Sequence, residues 1–92
     1  MISDDELRAI KRRCDAATPG PWRASMEGRD HTSGDSFIRR GNAGRESDLY
    51  LTSTTAGGTE IPSAADHEFI ATARQDIPRL LDEIARLRGR PI

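Results

Sequence analysis

Residues 63–88, SAADHEFIATARQDIPRLLDEIARLR, hold most of the strong apolar side chains in a chain that has few of them. Phe69, Ile70, Ala73, Ile77, Leu80, Leu81, Ile84 and Leu87 recur at steps of three and four residues, the spacing that lines one face of an α-helix. Asp76-Ile77-Pro78 interrupts that pattern with a start signal. An Asp caps the backbone N–H groups of a new first turn, and proline is tolerated only near such a start. The stretch therefore reads as two helices, residues 64–75 and 77–87, joined by a kink at Asp76. This is a scaffold signal and names no chemistry.

Composition bounds what the scaffold can enclose. The 92 residues make one domain, 1–92, with 35% apolar residues and four aromatics, Trp22, Phe37, Tyr50 and Phe69. A chain of this size buries roughly 60–65% of its unfolded surface, so the core is thin. Thin cores are commonly completed by a partner subunit, and a homo-oligomer is expected. The net charge of −1 argues against a nucleic-acid binder that relies on bulk positive charge. The cations are thirteen arginines and one lysine, Lys11. A GC-rich coding sequence accounts for that bias whatever the function. The same planar guanidinium forks also stock the chain for anion recognition. The single Cys14 excludes an internal disulfide framework and fits a reducing compartment. The acidic start, MISDDEL, and the lack of a long apolar run predict neither signal peptide nor membrane span, hence a cytoplasmic protein.

The elements follow in order. Ser3 and Glu6 have capping-box spacing, and Leu7, Ile10, Cys14 and Ala17 share a face, giving a helix over residues 4–16. Arg8, Lys11, Arg12 and Arg13 lie off that face as a solvated surface balanced by Asp4, Asp5 and Asp15. Thr18-Pro19-Gly20-Pro21 stops the helix. Residues 22–26 (WRASM) alternate as a half-buried strand with Trp22, Ala24 and Met26 inward and Arg23 and Ser25 outward. Residues 27–34 read as a polar loop, 35–40 (DSFIRR) as a second strand, and 41–44 as a turn. Residues 48–54 (DLYLTST) read as a third strand, with Leu49 and Leu51 opposite Tyr50 and Thr52. Residues 56–62 read as a flexible connection, and Ser63 with Asp66 caps the final helical part. The sum is an α+β fold: an N-terminal helix, a three-stranded antiparallel meander, and two C-terminal helices packed on one sheet face. The other sheet face or an edge strand is then free for another subunit.

Two landmarks carry a resemblance. Ala16-Ala17-Thr18-Pro19-Gly20-Pro21-Trp22 closes the first helix. Residues 65–74 (ADHEFIATAR), followed by Asp76-Ile77-Pro78 and Leu81, open the last part. Together they resemble small accessory proteins of phages and prophages, the Ead-like early-region family and its relatives in phages of actinobacteria. The likeness covers both ends of the chain and leaves residues 23–63 unmatched. It implies a phage-borne, cytoplasmic, non-essential product of the counter-defence or host-takeover kind, and it implies no mechanism.

Candidate chemistry is sparse. Glu27, Asp30, His31 and Asp35 are the densest set of metal-ligand or acid–base types, but they are spread along a glycine-bearing loop with one His, which reads as a solvated loop. Asp66, His67 and Glu68 are adjacent on a helix and point apart; they read as a polar helix start. Cys14 reads as core, and only His31 and His67 are present as bases. Gly41-x-x-Gly44 and Gly57-Gly58 lack the strand–helix context of a phosphate loop. No metal, cofactor or catalytic residue is expected, and the chain reads as a non-enzyme. Anion binding has more support: Arg23, Arg39, Arg40 and Arg74, with Tyr50 or Phe37 as a stacking surface, form the candidate ligand set. Surface ion pairs with Asp35, Asp48 and Asp76 are the competing account of these arginines, and Arg74 has a further one in helix-end carbonyls. Trp22 reads as a core residue at the helix–strand junction.

The functional expectation is a homo-oligomeric binding protein that sequesters an anionic small molecule, a nucleotide immune signal, between subunits. The alternative is an interaction module that binds and inhibits a host protein through the free sheet face or the amphipathic segment 77–87, rimmed by Arg79, Asp82, Glu83, Arg86 and Arg88.

Overall fold

The computed structural model describes residues 1–41 and 47–92. The first helix, α1 (Asp4–Ala16), starts where its sequence says it must: Ser3 Oγ accepts from the Glu6 N–H at 3.1 Å, and Asp4, Asp5 and Glu6 occupy the electropositive first turn. The return half of the capping box is made side chain to side chain, Ser3 Oγ donating to Glu6 Oε1 at 3.1 Å. Leu7 is the buried residue of this helix, and Cys14 is half-buried.

After the 18–21 turn, which contains a cis Gly20–Pro21 bond, β1 (Trp22–Ser25) pairs antiparallel with β2 (Phe37–Arg40), which pairs antiparallel with β3 (Asp48–Leu49). The strand order is β1-β2-β3, the meander expected from the short links. The register sorts the residues into two faces. Ala24, Ile38 and Leu49 form a row on one face, and Arg23, Arg39 and Asp48 form a row on the other. The first face carries the core: Ala24, Ile38 and Ala71, packed with Trp22, Leu49 and Leu51. Small side chains at Ala24 and Ala71 let the C-terminal helix lie close to the sheet. The core is thin, as the composition requires.

The third strand is shorter than the pattern of residues 48–54 predicts. Its partner β2 begins at Phe37, so nothing past Tyr50 has a strand to pair with. The chain instead folds back on itself: β4 (Ser53–Thr55) and β5 (Gly58–Glu60) make a separate exposed hairpin across Ala56-Gly57. Residues 56–62, expected as a flexible connection, thus contain a strand, supported by β-branched Thr54 facing Thr59. The turn expected over residues 41–44 lies, beyond Gly41, outside the described residues.

The C-terminal part corrects the expected break. It is one helix, α2 (Ala64–Arg88), with Pro78 inside it, where the sequence pattern predicts a helical pair kinked at Asp76. Both caps lie at its ends: Ser63 Oγ accepts from the Asp66 N–H at 3.2 Å, and Gly89, at φ 70°, closes it with Arg90 N–H on the Ala85 carbonyl at 3.1 Å. A mid-helix proline costs about 3 kcal/mol. Here each half of α2 is held independently, which offsets that cost. Arg74 and Gln75 bond to the 18–22 turn, whereas Leu81 is buried and Arg88 and Arg90 pair with Asp4 of α1. Among the described residues no helix is long and apolar enough to cross a membrane.

Candidate functional site

The two ends of the chain meet around the backbone of Trp22. Gln75 sits on α2 opposite the start of β1, its Oε1 accepting from the Trp22 N–H at 2.8 Å and its Nε2 donating to the Trp22 carbonyl at 3.0 Å. The amide side chain thereby acts as a one-residue strand partner. The Thr18 carbonyl accepts from Trp22 Nε1 at 3.0 Å and from Arg74 Nε at 2.9 Å. Arg40, whose cross-strand partner is Trp22, donates to the Ser47 carbonyl at 2.8 Å and to Thr18 Oγ1 at 3.1 Å. Arg40 and Arg74 therefore converge on Thr18, with donors committed to the turn. Trp22 is half-buried against the core, in keeping with its expected structural place.

Three of the five candidate ligand residues come together on the other sheet face. Arg23 and Arg39 are direct cross-strand partners, and Tyr50 follows the end of β3 two residues from Asp48. Arg39 grips Asp48 with a planar fork, Nε to Oδ1 and Nη2 to Oδ2, both at 3.0 Å. That carboxylate is almost fully enclosed, and its hydrogen bond is the main cause raising the already high Arg39 pKa. The ion pair expected between an arginine and Asp48 is present. Arg23 is exposed and has no hydrogen-bond or ion-pair partner among the described residues.

Beside this row lies a small aromatic group. Phe37 stacks with His31 at 5.3 Å and 22°, meets Tyr50 at 5.7 Å and 45°, and has the Arg39 guanidinium 5.3 Å from its centroid. Phe37 is thus engaged on several sides, while Tyr50 leaves most of its ring exposed. The surrounding recess, about 430 Å³, is lined by Ser25, Asp30, His31, Asp35, Arg39 and Tyr50 among others. A smaller recess of about 170 Å³ adjoins it, lined by Pro21, Trp22, Arg23, Arg39 and Gly41. Arg39 borders both. The first recess is rich in carboxylates, and the second has two guanidiniums and no acid among the described residues that line it. A larger trough of about 740 Å³ along α2, between Asp76 and Arg86, is open and lined by charges of both signs, among them the paired Glu83 and Arg86.

The 27–36 loop is more built than its composition predicts. Asp30 accepts from the Met26 N–H at 2.7 Å and from Arg29, which hold its carboxyl below the usual carboxylate range, Arg29 being the larger cause. Arg29 also reaches Glu68 on α2 at 2.7 Å, and Glu27 accepts from the Gly34 N–H at 2.6 Å. His31 Nδ1 lies 3.2 Å from the Ser33 N–H, 2.9 Å from Ser33 Oγ and 3.2 Å from Glu27 Oε2, while its Nε2 is turned away from all three. That nitrogen is enclosed without a partner among the described residues. Among them, no three His, Cys, Asp or Glu side chains converge on a metal position.

Sequence reasoning missed two residues. His67, expected as part of a polar helix start, is fully buried, with Nδ1 on the Ser63 carbonyl at 2.9 Å. Gln75 was readable only as a polar residue on a helix. The signal for both is position: His67, Ala71, Gln75, Pro78 and Leu81 follow at steps of three and four along the face of α2 that turns inward. No family model, curated protein or solved structure matches the chain.

Proposed function

We propose that this chain is a non-enzymatic, homo-oligomeric accessory protein of the phage kind that binds a nucleotide on the open face of its sheet and acts by sequestering it. The observation that carries the reading is the pairing of two adjoining recesses of opposite character across Arg39. A nucleotide has the matching polarity. Its phosphate suits the Arg23–Arg39 end, where Arg23 has no partner among the described residues to displace. Its base suits the exposed ring of Tyr50, with Ser25 and Asp35 as acceptors for exocyclic amino groups. Arg40 and Arg74 then serve the scaffold, holding the Thr18 turn from which β1 presents Arg23. Sequestration needs affinity only, so a site without a positioned nucleophile and base suffices.

The test is calorimetry against a panel of cyclic and linear nucleotides. Binding is expected at micromolar ligand, weakened about tenfold in Arg23→Ala, the loss of one charge-assisted contact, and by a comparable factor in Tyr50→Ala. Absence of heat across the panel refutes the reading. The alternative, an inhibitor of a host protein, draws on the exposed apolar side chains of α2; a single host protein retained by the chain, with no nucleotide response, would favour it.

A further inference from the structure

The apolar residues of α2 belong to two faces. The inner face, with Ala71 and Leu81, is buried against the sheet and α1. The outer one is Ile70, Ala73, Ile77, Leu80, Ile84 and Leu87, which follow one another at steps of 3, 4, 3, 4 and 3 residues. That is an unbroken heptad seam, with isoleucine at each a position and leucine at two of three d positions. This assignment favours a parallel two-stranded coiled coil. Among the described residues the seam is open along much of its length: Ile70 and Ile77 are 39% and 38% exposed, and Leu80 and Leu87 are 60% and 69% exposed, with Ala73 and Ile84 half-buried between them. Phe69, beside it, is 75% exposed. These five side chains expose on the order of 500 Å², more than the few hundred Å² of contiguous apolar surface a monomer ordinarily leaves.

We infer that the outer face of α2 is a homodimer interface, in which two copies of the chain pair these helices in parallel. Pro78 lies on the inner face, so the seam runs past it. The seam is about 26 Å long at 1.5 Å per residue. Covering it from both sides buries on the order of 1,000 Å² in total, the size at which specific association begins. Charge selects the orientation. In the parallel pair Glu83, at g, faces Arg88 of the second copy, at the following e, twice by symmetry, a contact that adds to the pairs these residues make within the chain, Glu83 with Arg86 and Arg88 with Asp4. In the antiparallel pair Asp76 faces Glu83 of the other copy, like charges repeated twice. Both chains then present their open sheet faces away from the shared helices. The inference shares with the proposed function only the statement that the chain self-associates.

Sedimentation equilibrium of the whole chain tests it. A dimer mass is expected, falling to a monomer in Leu80→Glu, whose side chain is exposed and whose helical circular dichroism should be unchanged. Orientation is read from Leu87→Cys in a Cys14→Ser background. The parallel pair puts the two new thiols at one level and oxidises to a covalent dimer, which the antiparallel pair does not. A wild-type monomer at millimolar protein, a dimer that survives Leu80→Glu, a higher oligomer, or absence of the covalent species each overturns the inference. Nucleotide titration of the Leu80→Glu monomer separates the failure of this interface from the failure of the ligand site.

Discussion

Replacing Gln75 with alanine removes the link through which α2 holds the first strand, and its size can be worked from the geometry. The side chain makes two hydrogen bonds to one residue, at 2.8 Å to the Trp22 N–H and 3.0 Å to its carbonyl, across 53 positions of sequence. A neutral hydrogen bond contributes about 1 kcal/mol net, and a part-buried backbone group left without its partner adds to the loss. Water reaches the half-buried Trp22 and limits that addition, and alanine returns a few tenths of a kcal/mol in helix propensity. The expected destabilisation is about 2–3 kcal/mol. In a domain this small each kcal/mol moves Tm by about 4–8 °C, so a fall on the order of 10–20 °C is expected. Gln75→Glu keeps an acceptor for the Trp22 N–H but sets a second acceptor against the Trp22 carbonyl, so it should not restore the stability lost in the alanine variant. Trp22 is the single tryptophan, so urea unfolding followed by its fluorescence and by far-ultraviolet circular dichroism reports the junction and the whole fold together. A loss under about 0.5 kcal/mol with unchanged fluorescence would refute the argument that Gln75 acts as a strand partner.

Two further outcomes follow from other parts of the fold. Ile38 is fully enclosed at the centre of a core with few large side chains, so Ile38→Ala should cost about 3–4 kcal/mol by urea unfolding. Asp30 has a carboxyl held below its ordinary value of 3.8, by Arg29 first and the Met26 N–H second. Its contribution is therefore present above that value and lost as pH falls through the lower folded-state value. The stability gap between wild type and Asp30→Asn should be constant near neutral pH and close in the acid range below 3.8; a gap that widens on acidification contradicts the assignment.

Much of the fold is legible in the residues because its signals are local. Ser3 and Ser63 start helices through bonds to their own neighbours, and Gly89 ends one in the left-handed region. Alternation in residues 22–26 places Ala24 and Met26 inside and Arg23 outside, as found. The placing of Arg23 beside Arg39 on one sheet face was legible because pairing of consecutive strands follows from short links. Arg40 was not separable from Arg39 by type; only the register turns one toward Thr18 and the other toward Asp48. The strand over residues 48–54 was overextended because alternation cannot say where a partner strand ends.

The stretch at residues 63–88 shows where the division falls. By itself the sequence determined that this segment is helical, amphipathic and capped at Ser63, since those properties depend on spacing and on groups within one turn. Tertiary structure decided that Pro78 does not divide it, because contacts to Thr18, Trp22 and Asp4 hold both halves to elements remote in sequence. It also decided which apolar residues of the helix are core: Ala71 and Leu81 turn inward, and the heptad seam from Ile70 to Leu87 faces outward. Periodicity measures how wide an apolar face is. Which part of it meets the chain's own sheet, and which part is left for another surface, depends on where distant elements pack.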